Sequence, residues 1–391
     1  MEKENFNFAM RNMNLGTETA FTVLAKANKL ASEGKSIINL GIGQPDFPTP
    51  PHIVEAGIKA LKDGHHGYTQ SVGIPKLREA VSNDIYKRHK VKVSPDNILI
   101  VPGGKVIIFF SAMIMGEKNR EILYPNPGFP IYESAINYSG ATAVPYKLSE
   151  EKGFSFSSEE ILNKINSKTS LIIINSPANP TGGIVPRSEL EKLAKGLDNF
   201  PNVTLMSDEI YDQFCFGSLP FTSMLSFPNI RDRLIILNGW SKTYAMTGWR
   251  LGYGIFPNKL YEIAEKLAVN IHSCVNASAQ YAALEALEGS QDCVSQMNNS
   301  FKRRASLMYN KLNEIEGFKC QEPKGAFYCF PNITATNKSS SIIQNELLDK
   351  LGVATVAGTS FGEFGEGFIR LSCASSDEAI EEAMNRIKTN F

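Results

Sequence analysis

The sequence carries no excess charge. Its 40 Lys and Arg residues balance 40 Asp and Glu over 391 residues. A neutral chain has no electrostatic pull toward nucleic acid or an anionic membrane. It also lacks a long apolar run. The most apolar stretch, VIIFFSAMIM at 106–115, is too short to span a bilayer and reads as a buried helix. The opening MEKENFNFAMRNMNLG has no basic segment followed by an apolar one, so no secretory leader is expected and the expected location is cytoplasmic. The six cysteines (Cys215, Cys274, Cys293, Cys320, Cys329 and Cys373) form no C-x-x-C pair. That spacing favours free thiols over a metal site or a disulfide framework. Internal repeats, low-complexity tracts and long linkers are missing too.

What is present is a globular composition, 42% hydrophobic and 20% charged. The length predicts roughly two to three domains. From about residue 95 to 260, short Ile/Leu/Val runs end in Gly, Pro, Asn or Asp: NILIVPGG, REILYPNPG, SLIIINSPANPTG, NVTLMSDEIY and RLIILNGWSK. Helical patterns such as RSELEKLAKGL lie between some of them. Buried strands with helical crossovers predict an α/β fold with a mostly parallel sheet covered by helices. Ligands of such sheets bind beyond the carboxyl ends of the strands, so the polar residues ending these runs should converge on one crevice. Beyond about residue 270 a long helical stretch carries SFKRRASLMYNKL, and PKGAFYCFPNI and GFIRLSCA read as strands of a smaller α+β domain. The expected division is 1–45 as an N-terminal arm and part of the small domain, 46–290 as the large domain and 291–391 as the small one.

The strand ends supply the candidates. Gly103, Gly104 and Lys105 follow a strand and open a helix, which makes either an anion site or a plain turn. Phe129, in the stiff loop YPNPGFPIY, is a stacking aromatic or a core residue. Asn179 is a ligand-binding amide or part of a turn. Asp208 ends an apolar run, with Tyr211 three residues on; if a helix begins there they share a face, and Asp208 is then also a candidate cap. Lys242 follows the run Leu234 to Leu237, as a solvated loop charge or a reactive amine. Arg250 suits a phosphate or carboxylate. Arg370, within FIRLSCA, needs either an internal ion pair or a ligand anion. Each feature alone is weak, but a planar, phosphorylated, pyridine-based aldehyde would use the whole set.

INLGIGQPDFPTP, GYTQSVGIPKLREA, NSPANPTGG, SDEIYD, SKTYAMTGWRLGY, PKGAFY and FIRLS, in this order and across nearly the whole chain, resemble the class I/II aminotransferases of fold type I, which use pyridoxal 5'-phosphate (PLP). The resemblance is nearest to bacterial aspartate aminotransferases. It implies that Lys242 holds PLP as a Schiff base and shuttles the proton, and that Asp208 pairs with the pyridinium nitrogen. Tyr211 and Asn179 would bond the ring oxygen, and Phe129 would stack on the ring. Arg250, with the amides of Gly103, Gly104 and Lys105, would bind phosphate, joined by Tyr68 from a neighbouring subunit of a homodimer. Arg370 would clamp the substrate α-carboxylate beside Asn179 and Gly43, in a double-displacement cycle between an L-amino acid and a 2-oxo acid. The catalytic set is then Lys242, Asp208 and Tyr211. Burial and Arg250 are expected to keep Lys242 neutral.

Two departures stand out. Gly239 replaces a phosphate-binding serine of several relatives, with Ser241 or a backbone amide as substitute. The stretch VNIHSCVNASAQ lacks the arginine of the dicarboxylate-specific branch and holds only His272, so aspartate specificity is a family-level expectation. Glu18, in the arm, would even disfavour an acidic side chain if it reached the pocket; otherwise it is a solvated residue. A PLP-dependent C–S β-lyase on the same fold is the alternative enzyme. A PLP-sensing regulatory module is the non-enzymatic one, but it would carry a DNA-binding domain, for which about 45 neutral residues leave no room.

Overall fold

A computed structural model of the chain describes residues 9–217 and 220–390. The first eight residues of the expected arm, and Phe391, lie outside them. Helix Thr19–Ser32 leads into the short strand β1 (Ile38–Asn39). Seven strands follow: β2 (Ile98–Val101), β3 (Glu121–Asn126), β4 (Thr142–Lys147), β5 (Thr169–Asn175), β6 (Thr204–Asp208), β7 (Leu234–Gly239) and β8 (Gly252–Ile255). They form one sheet in the order β2-β8-β7-β6-β5-β3-β4. Every strand of β2, β5, β6, β7 and β8 is buried throughout, as expected for a sheet covered on both faces. Helix Lys105–Met115 packs on one face through Ile107, Ile108 and Phe110. The α/β class with a mostly parallel sheet is what the apolar runs predicted.

One strand runs the other way. β8 is antiparallel to both β2 and β7. Its sequence, GYGI, has too few β-branched residues to read as a strand, and its glycines have a packing reason. A Cβ on Gly252 would press into the backbone of Gly103 and Gly104. The reversal has a functional effect: the start of β8 lies at the edge where the parallel strands end, which delivers Arg250 to the same edge as the other candidates.

The C-terminal strands β9 (Tyr328–Cys329), β10 (Val353–Ala354), β11 (Val356–Ala357) and β12 (Ile369–Ser372) complete the chain. β12 is the middle strand of an antiparallel trio with β11 and β9. β1 pairs in parallel with β10, Ile38 against Val353, and Val23 and Ala27 of the first helix pack on Leu348 and Ala354. The N-terminal segment is thus packed against the C-terminal one. The long helix Asp292–Leu312 lies beneath the trio, with Phe301, Ala305 and Met308 in its core. No helix among the described residues is long and apolar enough to cross a membrane.

Candidate active site

A cleft of about 470 Å³ lies at the strand ends, within the size range of small-molecule sites. Eleven of the thirteen residues given site roles above line it, Gly103 lies beside Arg250, and Tyr68 stands apart. It is 92% exposed and does not line the cleft.

Lys242 sits in the turn after β7. Its Nζ donates to the Gly43 carbonyl at 2.5 Å and lies 5.8–5.9 Å from the ring centres of Phe327 and Tyr211. Burial, then the positive charge of Arg370, lowers its pKa to about 8; Lys105 and Arg250 act the same way and Glu18 opposes them. The neutral form of the lysine is thereby brought within easier reach, with Arg370 a stronger cause than the Arg250 named from sequence. Gly43 must be glycine to allow this approach, because a Cβ there would overlap the Tyr328 hydroxyl.

Asp208 is the last residue of β6. No helix begins after it: residues 210–213 form a turn, so the shared helical face and the helix cap expected from sequence both fall away. The turn itself is fastened by the Asp208 carboxylate, which accepts from the Ile210 amide at 3.2 Å. The same carboxylate accepts from the Tyr132 hydroxyl at 2.7 Å. Burial raises the Asp208 pKa to about 6, and those two bonds and the charge of Lys242 hold it from rising further. A buried carboxylate of this kind favours a cationic partner. Tyr211, in the turn, shares a hydrogen bond of 2.8 Å with the hydroxyl of Tyr328, and burial pushes its phenol well above the ordinary value.

Asn179 and Arg370 meet although 191 positions apart: Arg370 Nη1 donates to Asn179 Oδ1 at 2.8 Å. Nη2 donates to the Gly41 carbonyl at 2.6 Å, and Nε is buried with no partner. The guanidinium lies between the rings of Tyr328 and Phe361, 4.6 and 4.7 Å from their centres. It forms no ion pair among the described residues, so the internal-pair alternative left open by the sequence is excluded there.

Gly104, Lys105, Ser241 and Arg250 line the other end of the cleft. Gly103 lies beside them with φ +95°, and a Cβ on it would overlap the Arg250 guanidinium. Arg250 itself has φ +55°, a conformation that ordinary residues adopt only where the surroundings enforce it. Gly239 is closed to a side chain by the Gly252 Cα of β8 and the carbonyl of Leu251 just before it, while Ser241 lines the cleft. Phe129 also lines it and meets Tyr132 edge to face, with centres 5.7 Å apart. His272 does not reach it; it stacks on Phe110 in a separate hollow.

Sequence reasoning missed Tyr132, Tyr328 and the engagement of Glu18. Tyr132 lies three residues after Phe129 in FPIY, a spacing that would have found it had a helix been expected to begin there. Tyr328 lay inside the quoted PKGAFY without a role.

Comparison with known proteins now adds to the geometry. Residues 35–387 match the family model described as aminotransferase class I and II. A probable aspartate/prephenate aminotransferase of Aquifex aeolicus is 38% identical over 386 residues, covering 97% of each chain. The crystal structure of the aspartate aminotransferase from Rhizobium meliloti superposes with a TM-score of 0.93 at 30% identity, covering 98% of each chain. An alanine aminotransferase from Pyrococcus furiosus superposes almost as well, with a TM-score of 0.92 at 31% identity, covering 98% of this chain and 99% of the other. Likeness of fold therefore does not separate acidic from neutral substrates.

Proposed function

Because the chain belongs to the aminotransferase class I and II family, we propose that its cleft moves an amine from an L-amino acid, with L-aspartate the first candidate, to 2-oxoglutarate. The chain is an aminotransferase of fold type I, and its cofactor is PLP. The residues present fit that group. Asp208 is a buried carboxylate with a raised pKa and no ion-pair partner among the described residues, Lys242 is a partly buried amine with a lowered one, and Gly103 leaves room for Arg250. When bound, PLP supplies an electron sink and carries the amine between the two half-reactions.

The proposed roles follow from chemistry and position. Asp208, which accepts from the Tyr132 hydroxyl, would stabilise a protonated pyridine nitrogen. Tyr211 and Asn179 would serve the ring oxygen, and Phe129 would cover the ring. Arg250, Ser241 and the amides of Gly103, Gly104 and Lys105 hold the phosphate, the amides at a helix N-terminus suiting an anion. Lys242 would hold the cofactor and would move the proton at the substrate Cα, a task that needs its amine in the neutral form. Arg370 grips the α-carboxylate with two parallel donors and so orients the Cα–H bond. The observation that carries the reading is Arg370: a buried guanidinium, without an acid, facing the same cleft as Lys242.

Aspartate as donor is supported by the names of the relatives, and the double-displacement order by the placing of Lys242 and Arg370 on one cleft, which both substrates would use in turn. A homodimer is part of the proposal, supported by the exposed Tyr68, which is free to reach a partner's phosphate site. So are a cytoplasmic location and the division of the chain into 46–290 and a smaller unit of 1–45 with 291–391, the latter supported by the pairing of β1 with β10. The test is an absorbance spectrum of the PLP-loaded protein as single amino acids are added without oxo acid. Loss of the visible band of bound PLP, with a gain at the shorter wavelength of the aminated cofactor and release of one oxo acid per site, supports transamination. Continuous release of pyruvate and thiol from a cysteine conjugate points instead to the lyase. Lys242→Ala should abolish either reaction while the protein remains folded; wild-type turnover in that variant would refute the role of Lys242.

A further inference from the structure

Four cations line the cleft among the described residues: Lys105, Lys242, Arg250 and Arg370. On the transaminase reading, on which this inference rests, three have tasks: the cofactor aldehyde, its phosphate and the substrate α-carboxylate. Only the backbone amide of Lys105 has been given one. Its ammonium forms an ion pair with Glu18 of the N-terminal arm and lies 5.6 Å from the ring centres of both Phe21 and Phe129. Glu18 occupies the N-cap position of helix Thr19–Ser32, yet its side chain makes no capping bond. The carboxylate is turned to Lys105 and not to the first helical amides. Its side chain is only 15% exposed. Glu18 and Lys105 both line the cleft that holds Lys242 and Arg370. The arm is pinned beside it by the Gly16 amide, which donates to Ser134 Oγ at 3.0 Å.

The geometry points to Glu18 as a built-in competitor for the side-chain carboxylate of the substrate and thereby a specificity-determining residue. With the pair closed, Lys105 is neutralised, and the cleft presents Phe21 and Phe129 to an uncharged side chain. A dicarboxylic substrate must take Glu18's place on Lys105, which weakens its binding by the strength of that ion pair. One cleft then accepts both neutral and acidic substrates, and the arm sets the balance between them.

The test compares wild-type and Glu18→Gln holoenzymes. kcat/KM is measured for L-aspartate and for L-alanine and L-phenylalanine, and the affinity for succinate, a dicarboxylate that cannot react, is measured by calorimetry. Glu18→Gln should raise the acidic-to-neutral ratio and tighten succinate binding, each by about five- to tenfold. Adding Lys105→Gln should erase both gains. An unchanged ratio in an active Glu18→Gln enzyme overturns the inference, as does a gain that survives loss of Lys105. If the wild type converts no amino acid, the transaminase reading falls instead. The succinate affinities then still decide the role of Glu18: equal values overturn it and tighter binding to Glu18→Gln upholds it.

Discussion

Two arginines of the C-terminal third are buried almost equally, Arg304 at 7% exposure and Arg370 at 3%. Arg304, in helix Asp292–Leu312, is fully engaged: it donates to Asp46 at 2.8 Å and to Asp377 at 3.1 Å. Arg370, in β12, has an amide oxygen and a carbonyl but no acid. Depth is thus no guide to function. A buried guanidinium whose counter-charge is built into the fold is a strut, and one whose counter-charge is absent has to draw an anion from outside the fold, the role proposed for Arg370. The same contrast separates Asp208 from Asp377. Asp377 is held below the usual carboxylate range, first by its hydrogen bond to Arg303, whereas burial lifts Asp208 to about 6.

The comparison breaks most readily at Arg370. Arg370→Leu should lower kcat/KM for every amino acid by about 10³-fold, on the order of 4 kcal/mol, with the protein still folded. Unchanged Michaelis constants across a panel of donors would make it a strut like Arg304.

Asp208 gives the next largest effect. Its folded pKa of about 6 lies above the ordinary 3.8. Its burial therefore carries no penalty below about pH 4, where both folded and unfolded chains are protonated, and the full penalty above pH 6. Stability of the cofactor-free protein should fall as pH rises through that window. Asp208→Asn should remove the fall and stabilise the cofactor-free protein at pH 8 by about 2 to 3 kcal/mol. Urea denaturation at pH 4, 6 and 8 checks it; a variant with the wild-type pH profile would show that the carboxylate is not strained.

Arg304 supplies the smallest effect and the opposite sign. Arg304→Leu leaves Asp46 and Asp377 facing an apolar group, but both remain about a third exposed, so water screens the loss. Stability should drop by about 2 kcal/mol in the same denaturation assay, with transamination retained by the folded fraction. Loss of activity at full stability would move Arg304 into the site.

Lys242, Asp208 and Asn179 were legible because local pattern placed them. An apolar run that ends abruptly in a polar residue marks a strand end, and a parallel sheet gathers its strand ends on one edge. β8 was not legible, since its glycines are chosen by the backbone of Gly103 and Gly104 across the sheet and not by any periodicity. Whether a helix or a turn follows β6 stayed open in the sequence, because spacing alone cannot distinguish a helical face from a turn that an aspartate folds back.

The sequence by itself determined the α/β class and the family, and most of the residues that line the cleft, Lys242 among them, since burial imposes a pattern that neighbours in sequence share. Tertiary structure alone decided the pairings: Arg370 with Asn179, Tyr132 with Asp208, Tyr328 with Tyr211, and Glu18 with Lys105. Those partners lie 76 to 191 positions apart. Whether a buried charge meets its opposite or is left for a ligand depends on where the whole chain brings distant segments, and local spacing holds no information about that distance.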